Sequence, residues 1–328
     1  MKIAVLGAGA WGTAIGVILS PRHDVRLWAR DAALVAALRA ERLNRRYLPG
    51  IALPPSLVPE GDLDRALAGA ELVLAAVTTG GLRDTLKRIR AAGCGAPLVW
   101  LCKGFESAHA KLPHRICEEE LPASVPRAVL SGPGFAEELA RGLPAALTLA
   151  SEDGAFARTA AAELHGPTLR VYLSEDVTGV EVGGAIKNVM AIAAGVSDGL
   201  GLGLSARAAL ITRGLAEMTR LGVALGGRPE TFMGLAGAGD LILTCTGDLS
   251  RNRRVGLALA RGTPLAAVLA ELGHTAEGVY TARAVERLAQ DMKVDMPITH
   301  AVCRVLDNPA LARDAVQSLL AREQKREY

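Results

Sequence analysis

Lys2-Ile-Ala-Val-Leu6 is a short apolar run suited to a buried strand, and it passes directly into Gly7-Ala-Gly-Ala-Trp-Gly12 and a helical pattern, Thr13–Leu19. No other feature constrains the fold as strongly. In G-x-G-x-x-G, Gly7 permits a tight turn, Gly9 lets backbone approach a pyrophosphate, and Gly12 lets the helix pack on the strand. The helix N-terminus adds free N–H groups and the positive end of its dipole. The glycine spacing alone is a weak signal. Between a strand and a helix it specifies a dinucleotide-binding unit.

The second strand, Val25–Ala29, ends at Arg30-Asp31. An acidic residue at this tip holds an adenosine ribose 2′-hydroxyl, whereas an arginine accommodates a 2′-phosphate. Arg30 therefore favours NADP(H), with NAD(H) as the alternative coenzyme, and Asp31 is left to cap the helix expected over Ala32–Arg42. The proline-rich stretch Asn44–Pro59 lacks periodicity and reads as a loop excursion from the sheet. Alternation then resumes: strand Glu71–Val77, loop Thr78–Gly81, helix Leu82–Arg90 and strand Pro97–Lys103. Strands Arg127–Ser131, Ala145–Ala150 and Leu169–Leu173 follow, with helices between them. Such alternation means βαβ units and a mostly parallel sheet, whose ligands bind beyond the strand carboxyl ends. Lys103 sits at one such end, and the loop Ser131-Gly-Pro-Gly-Phe-Ala136 at another. After residue 177 the strand signals stop. The expected class is α/β, a Rossmann-type doubly wound sheet over 1–177 followed by an all-α domain over 178–328.

The helical half opens on an apolar, small-residue run, Thr178–Gly195, with Lys187 and Asn188 in its middle. Lysine is rarely buried without a partner. Gly183 and Gly184 lie one turn before it, and glycines in a helix cost about 0.5–1 kcal/mol each against alanine. Something must approach the backbone closely there, and a ligand is the obvious candidate. Further on, Ser250 is suited to cap a helix over Arg251–Arg261, and Arg251 and Asn252 at that helix N-terminus make an anion site suited to phosphate.

Composition excludes several classes. A net charge of +3, with dispersed basic residues, points to neither nucleic acid nor a membrane surface. Lys187 and Asp198 interrupt the apolar run, so no membrane insertion is expected. The five cysteines lack a Cys-x-x-Cys pair and read as reduced thiols of a cytoplasmic protein; with the histidines they form no metal pattern.

Over essentially its whole length the chain resembles the bacterial-type NAD(P)-dependent glycerol-3-phosphate dehydrogenases. The resemblance rests on Gly-Ala-Gly-Ala-Trp-Gly-Thr at 7–13, Lys-Gly-Phe-Glu at 103–106, Ser-Gly-Pro-Gly-Phe-Ala-Glu-Glu at 131–138 and Gly-Gly-Ala-Ile-Lys-Asn at 183–188. It rests equally on Ala-Gly-Ala-Gly-Asp-Leu at 236–241, Ser-Arg-Asn-Arg-Arg at 250–254 and Ala-Glu-Gly at 276–278. It implies that Lys187 is the catalytic proton donor and acceptor, oriented by Asp240 and Asn188. Lys103, Gly132, Gly134, Asp240, Ser250, Arg251 and Asn252 would join Lys187 in holding the substrate. Beside the glycine loop (Gly7, Gly9 and Gly12), Ala10, Trp11, Arg30, Lys103, Ala136, Arg251, Thr275 and Glu277 would meet the coenzyme. The implied reaction is reversible hydride transfer between NAD(P)H and dihydroxyacetone phosphate, giving sn-glycerol 3-phosphate for phospholipid synthesis, in a homodimer. Two positions depart from the family: Gly134 replaces a Ser or Thr, so any contact from it is through backbone, and Phe105 replaces an Ile or Leu. Two other readings compete. A dehydrogenase of a β-hydroxyacid or sugar acid would want a carboxylate site in place of the Ser-Arg-Asn corner, and a non-catalytic dinucleotide sensor would not need Lys187 and Asp240 together.

Overall fold

The computed structural model describes residues 1–272 and 276–323. Contacts divide the chain into one unit of residues 1–103 and 111–181, and another of 104–110 and 182–328.

The first unit is built on an eight-stranded sheet. Its strands are β1 (Lys2–Leu6), β2 (Asp24–Trp28), β5 (Leu57–Glu60), β6 (Leu72–Ala75), β7 (Leu98–Trp100), β8 (Arg127–Ser131), β9 (Ala145–Ala150) and β10 (Leu169–Ser174); β3 (Leu43–Asn44) and β4 (Leu48–Ala52) form a separate antiparallel pair. The order across the sheet is β10-β9-β8-β7-β6-β1-β2-β5. The chain thus runs outward from β1 through β2 to β5, then returns past β1 to β6 and builds the other side. The strand order reverses between β1 and β6, where a doubly wound sheet opens its ligand crevice. Pairing is parallel except between β8 and β9. The apolar run that opens the chain is buried because helices cover both faces of such a sheet: Ile3, Ala4, Val5 and Leu6 are fully inaccessible.

Two segments differ from the sequence expectation. The stretch 44–59, expected to leave the sheet as a loop, instead supplies the β4 strand of the hairpin and most of β5, which pairs in parallel with β2 at the sheet edge. Pro59 masks the strand in the sequence yet is compatible with an edge, where one side of the strand needs no ladder hydrogen bond. The segment expected as the loop Thr78–Gly81 instead begins the helix Thr79–Ala91. Its glycines lie in the first turn, where N–H groups have no intrahelical partner in any case.

Beyond β10 every described element is helical. The helix Val177–Gly199 is long and apolar enough to cross a membrane, but its most apolar window is wholly buried inside the protein. Glycines let it pack backbone to backbone. A Cβ on Gly195 would stand 2.0 Å from the Arg253 carbonyl oxygen, and one on Gly256 would stand 2.0 Å from the Ile192 carbonyl oxygen. The helix Arg251–Ala260 is therefore pressed against the helix that carries Lys187 at a distance only glycine allows.

Candidate active site

In the first unit the glycine loop has the form its sequence demands. Gly7 has φ +113°, and a Cβ there would lie 2.6 Å from the Ala76 carbonyl oxygen; one on Gly12 would lie 1.9 Å from the Gly7 carbonyl oxygen. At Gly9 the corresponding position opens on space, with no atom within 4 Å. Gly9 precedes the helix Ala10–Leu19, whose first turn holds no acidic residue and whose N-cap provides no side-chain bond. Its first N–H groups and its dipole are thus left for an anion, and the loop fits a dinucleotide pyrophosphate.

At the end of β2, Arg30 is exposed. Asp31 caps the next helix as expected, its Oδ1 accepting from the Ala33 N–H at 3.0 Å and the Leu34 N–H at 3.2 Å. Beyond β7, the Lys103 ammonium donates to the Gly132 carbonyl at 3.1 Å, so the two strand-end segments singled out in the sequence meet. Lys103, Trp11 and Ser131 line a small cavity of about 10 Å³ with Leu101, Leu130 and Leu147. The buried Ser131 hydroxyl has no hydrogen-bond partner among the described residues. A Cβ on Gly134 would stand 3.3 Å from the Trp11 ring, so glycine at 134 gives the indole its room. Ala136 opens the helix Ala136–Ala140.

In the second unit Lys187 is buried and paired, its ammonium 2.5 Å from Oδ1 of Asp240. Asp240 is wholly inaccessible. It follows a π-helical turn, Leu235–Gly239, of a kind frequent at functional sites. The Thr244 hydroxyl donates to the Asp240 carbonyl at 2.6 Å. A Cβ on Gly183 would lie 2.4 Å from the Ala236 carbonyl oxygen. At Gly183 the group that approaches the backbone is therefore this π-helical turn. The glycine lets the segment leading to Asp240 lie against the lysine's own helix.

Asn188 lies next in sequence to Lys187, but its amide is engaged elsewhere. Its Oδ1 accepts from Nδ2 of Asn252 at 2.9 Å, and its Nδ2 donates to the Gly184 carbonyl at 3.4 Å. Oδ1 of Asn252 in turn accepts from the Gly278 N–H at 3.0 Å. These two amides tie the Lys187 helix, the helix Arg251–Ala260 and the helix Glu277–Asp291 together, and Glu277 opens the last of these. Ser250 caps as expected, accepting from the Arg253 N–H at 3.2 Å. In the basic run, Arg253 turns inward to Asp198 at 2.7 Å and Asp248 at 2.9 Å, while Arg251 stays exposed at the helix start. Thr275 lies outside the described residues.

Among the described residues, the buried polar groups that sequence reasoning missed include Asn44, Glu181 and Glu217. Asn44 is fully inaccessible, its Nδ2 donating to the Ala8 carbonyl at 3.0 Å and lying 2.8 Å from the Thr13 hydroxyl. Glu181 accepts from the Trp100 indole at 2.8 Å and pairs with His114, while burial pushes its carboxyl up from the usual range. Glu217 accepts from the Ile298 N–H at 2.6 Å and the Thr299 N–H at 3.2 Å, and burial raises its carboxyl to about 7 against the opposing effect of those bonds. Asn44 lies in the segment read as loop, and the two glutamates lie in helices; an isolated polar residue there is not distinguishable from a solvated one.

A buried ammonium held by a carboxylate can protonate an oxyanion, and an exposed arginine at a helix N-terminus can bind phosphate. Comparison with known proteins bears on that chemistry. Residues 2–157 match the family model described as NAD-dependent glycerol-3-phosphate dehydrogenase N-terminus, and residues 176–317 match the one described as its C-terminus. The chain is 59% identical over 331 residues to a glycerol-3-phosphate dehydrogenase [NAD(P)+] of Nitrosospira multiformis, covering 100% of this chain and 99% of that one. It is 57% identical over 327 residues to the protein of that name from Dechloromonas aromatica, with the same coverage. Among solved structures it is similar to glycerol-3-phosphate dehydrogenase from Coxiella burnetii, at 43% identity and a TM-score of 0.93 over 98% of both chains.

Proposed function

Because the chain belongs to the NAD-dependent glycerol-3-phosphate dehydrogenase family, we propose that it reversibly reduces dihydroxyacetone phosphate to sn-glycerol 3-phosphate with NAD(P)H, NADPH being favoured. The observation that carries the proposal is the buried pair of Lys187 and Asp240, 2.5 Å apart. When bound, the nicotinamide supplies the hydride that the carbonyl carbon takes up. The carbonyl oxygen then needs a proton, and Lys187 gives it. Before transfer, the ammonium's charge stabilises the alkoxide as it develops. Asp240 fixes the direction of the Nζ–H bonds and keeps a neighbouring negative charge when the amine is neutral. In the oxidising direction the same amine takes the proton back.

Arg251, with the N–H groups of the helix it opens, would hold the substrate's phosphate. Ser250 and Asn252 shape that corner, the first as the helix cap and the second through its bonds to Asn188 and Gly278. The glycine loop, Trp11 and Arg30 would hold the coenzyme, and residues 1–177 and 178–328 are assigned as the dinucleotide-binding and substrate domains. Family membership further supports a cytoplasmic homodimer that feeds glycerophospholipid synthesis. The direct test mixes the protein with NADPH and dihydroxyacetone phosphate and follows loss of reduced-nicotinamide absorbance. Turnover is expected; its absence refutes the function.

A further inference from the structure

The Asn44–Tyr47 turn, between β3 and β4, is seated on the coenzyme loop by a buried anchor. Asn44 reaches the carbonyl of Ala8, inside G-x-G-x-x-G, and the hydroxyl of Thr13, one residue beyond it. Its own Oδ1 accepts from the Tyr47 N–H at 3.2 Å, so one side chain fixes both the turn and the loop. The residue presented between these contacts is Arg46. Its guanidinium lies 3.5 Å from Oδ2 of Asp31 and 5.1 Å from the centre of the Tyr47 ring. Arg46 is thereby brought beside the tip of β2, where Arg30 is exposed.

The same contacts alter what Asp31 can do. Its Oδ1 already accepts two backbone N–H groups of the helix it caps, and its Oδ2 faces Arg46. Oδ1 is thus taken by the cap, and a ribose 2′-hydroxyl would have to compete with the Arg46 guanidinium, at 3.5 Å, for the half-exposed Oδ2. A phosphate monoester carries a charge of about −1.5 to −2 at pH 7, more than one guanidinium neutralises. We propose that the Asn44–Tyr47 turn is the second wall of the adenosine 2′-phosphate site, with Asn44 anchoring the turn and the Arg46 guanidinium sharing the phosphate with Arg30. Arg46 is then a specificity-determining residue for NADPH over NADH, and Asn44 is the residue that positions it. The inference rests on the reading of this protein as an NADPH-favouring dehydrogenase.

The test is a direct titration of the full-length protein with NADPH and, separately, NADH, followed by nicotinamide fluorescence and needing no turnover. Arg46→Gln is exposed and conservative in length, so the fold is retained. It should weaken NADPH about 10-fold, the scale of one lost charge-assisted contact, and NADH less than about 2-fold. Asn44→Ala should also weaken NADPH more than NADH, and Arg46→Gln added to it should cost NADPH less than it does alone. Additive effects in the double variant would overturn the anchoring role of Asn44. A wild-type protein that prefers NADPH, with the preference intact in Arg46→Gln, overturns the assignment of Arg46 alone. A wild-type protein that binds both coenzymes equally overturns the NADPH reading and this inference together.

Discussion

The backbone crossing at Gly195 gives the sharpest test of how the catalytic helix is held. In Gly195→Ala the new methyl would stand 2.0 Å from the Arg253 carbonyl oxygen and 2.9 Å from the α-carbon of Gly256. Both are main-chain atoms, so no side chain can swing aside. To reach an ordinary contact near 3.4 Å the helices must part by about 1.4 Å along that line (3.4 − 2.0). Half of that separation would lengthen the 2.9 Å bond between Asn252 and Asn188 to about 3.6 Å, past hydrogen-bonding range. Overpacking costs about 1–3 kcal/mol and the lost bond about 1 kcal/mol more, while alanine's better helix propensity returns up to about 1 kcal/mol. The net expectation is a destabilisation of about 1–3 kcal/mol, read by urea unfolding. Turnover should suffer more. Lys187 and Arg251 sit on the two helices forced apart, and a misplacement of about 1 Å costs on the order of 100-fold. Gly80→Ala is the control, since no atom lies within 4 Å of its Cβ position. If Gly195→Ala unfolds within about 0.5 kcal/mol of wild type and turns over normally, the glycine crossing does not hold the site.

Three further outcomes follow from the site and its supports. Lys187→Met should reduce turnover about 100-fold or more. Because it strands the buried Asp240, it should also cost about 3–5 kcal/mol of stability, and adding Asp240→Asn should restore the stability but not the rate. Arg251→Ala should raise KM for dihydroxyacetone phosphate about 10–100-fold and leave unphosphorylated dihydroxyacetone largely unaffected; equal damage to both substrates would make Arg251 structural. Glu217 titrates near 7 in the folded protein against 4.5 for an ordinary glutamate, so the folded state holds more protons between those values and its stability falls as pH rises through that window. The loss amounts to about 3 kcal/mol and is complete above about pH 7.5, so Glu217→Gln should gain on wild type by that order between pH 5 and pH 8 in unfolding titrations. A constant difference across that range would refute the assignment.

The parts of this protein that are legible in sequence are those whose physics is local. Gly7, Gly9 and Gly12 declare a turn; Asp31 and Ser250 declare caps; Val25–Ala29 declares a buried strand within a residue at each end. The segment 44–59 is not legible, because an edge strand is defined by its neighbour β2 and carries no apolar alternation of its own. Asn44 is hidden because the partners that bury it, the Ala8 carbonyl and the Thr13 hydroxyl, lie 36 and 31 residues away in the chain. Gly183 marks a point of close approach, but sequence does not identify the approaching group: the Ala236 carbonyl comes from a turn far along the chain. In the candidate site, residue types suggest the chemistry, while the pairing of Lys187 with Asp240 and the lattice of Asn188, Asn252 and Gly278 depend on tertiary packing.

The burial of the helix Val177–Gly199 has a consequence for synthesis. Its apolar surface is covered in part by elements made much later, among them Ala236 against Gly183 and Arg253 against Gly195. Until those residues leave the ribosome, an emerging chain displays a segment long and apolar enough to pass for a membrane span. At about 5–20 residues per second, that exposure lasts several seconds. Chains arrested before residue 253 carry it permanently, and should be found bound to chaperones or aggregated, whereas full-length chains are not.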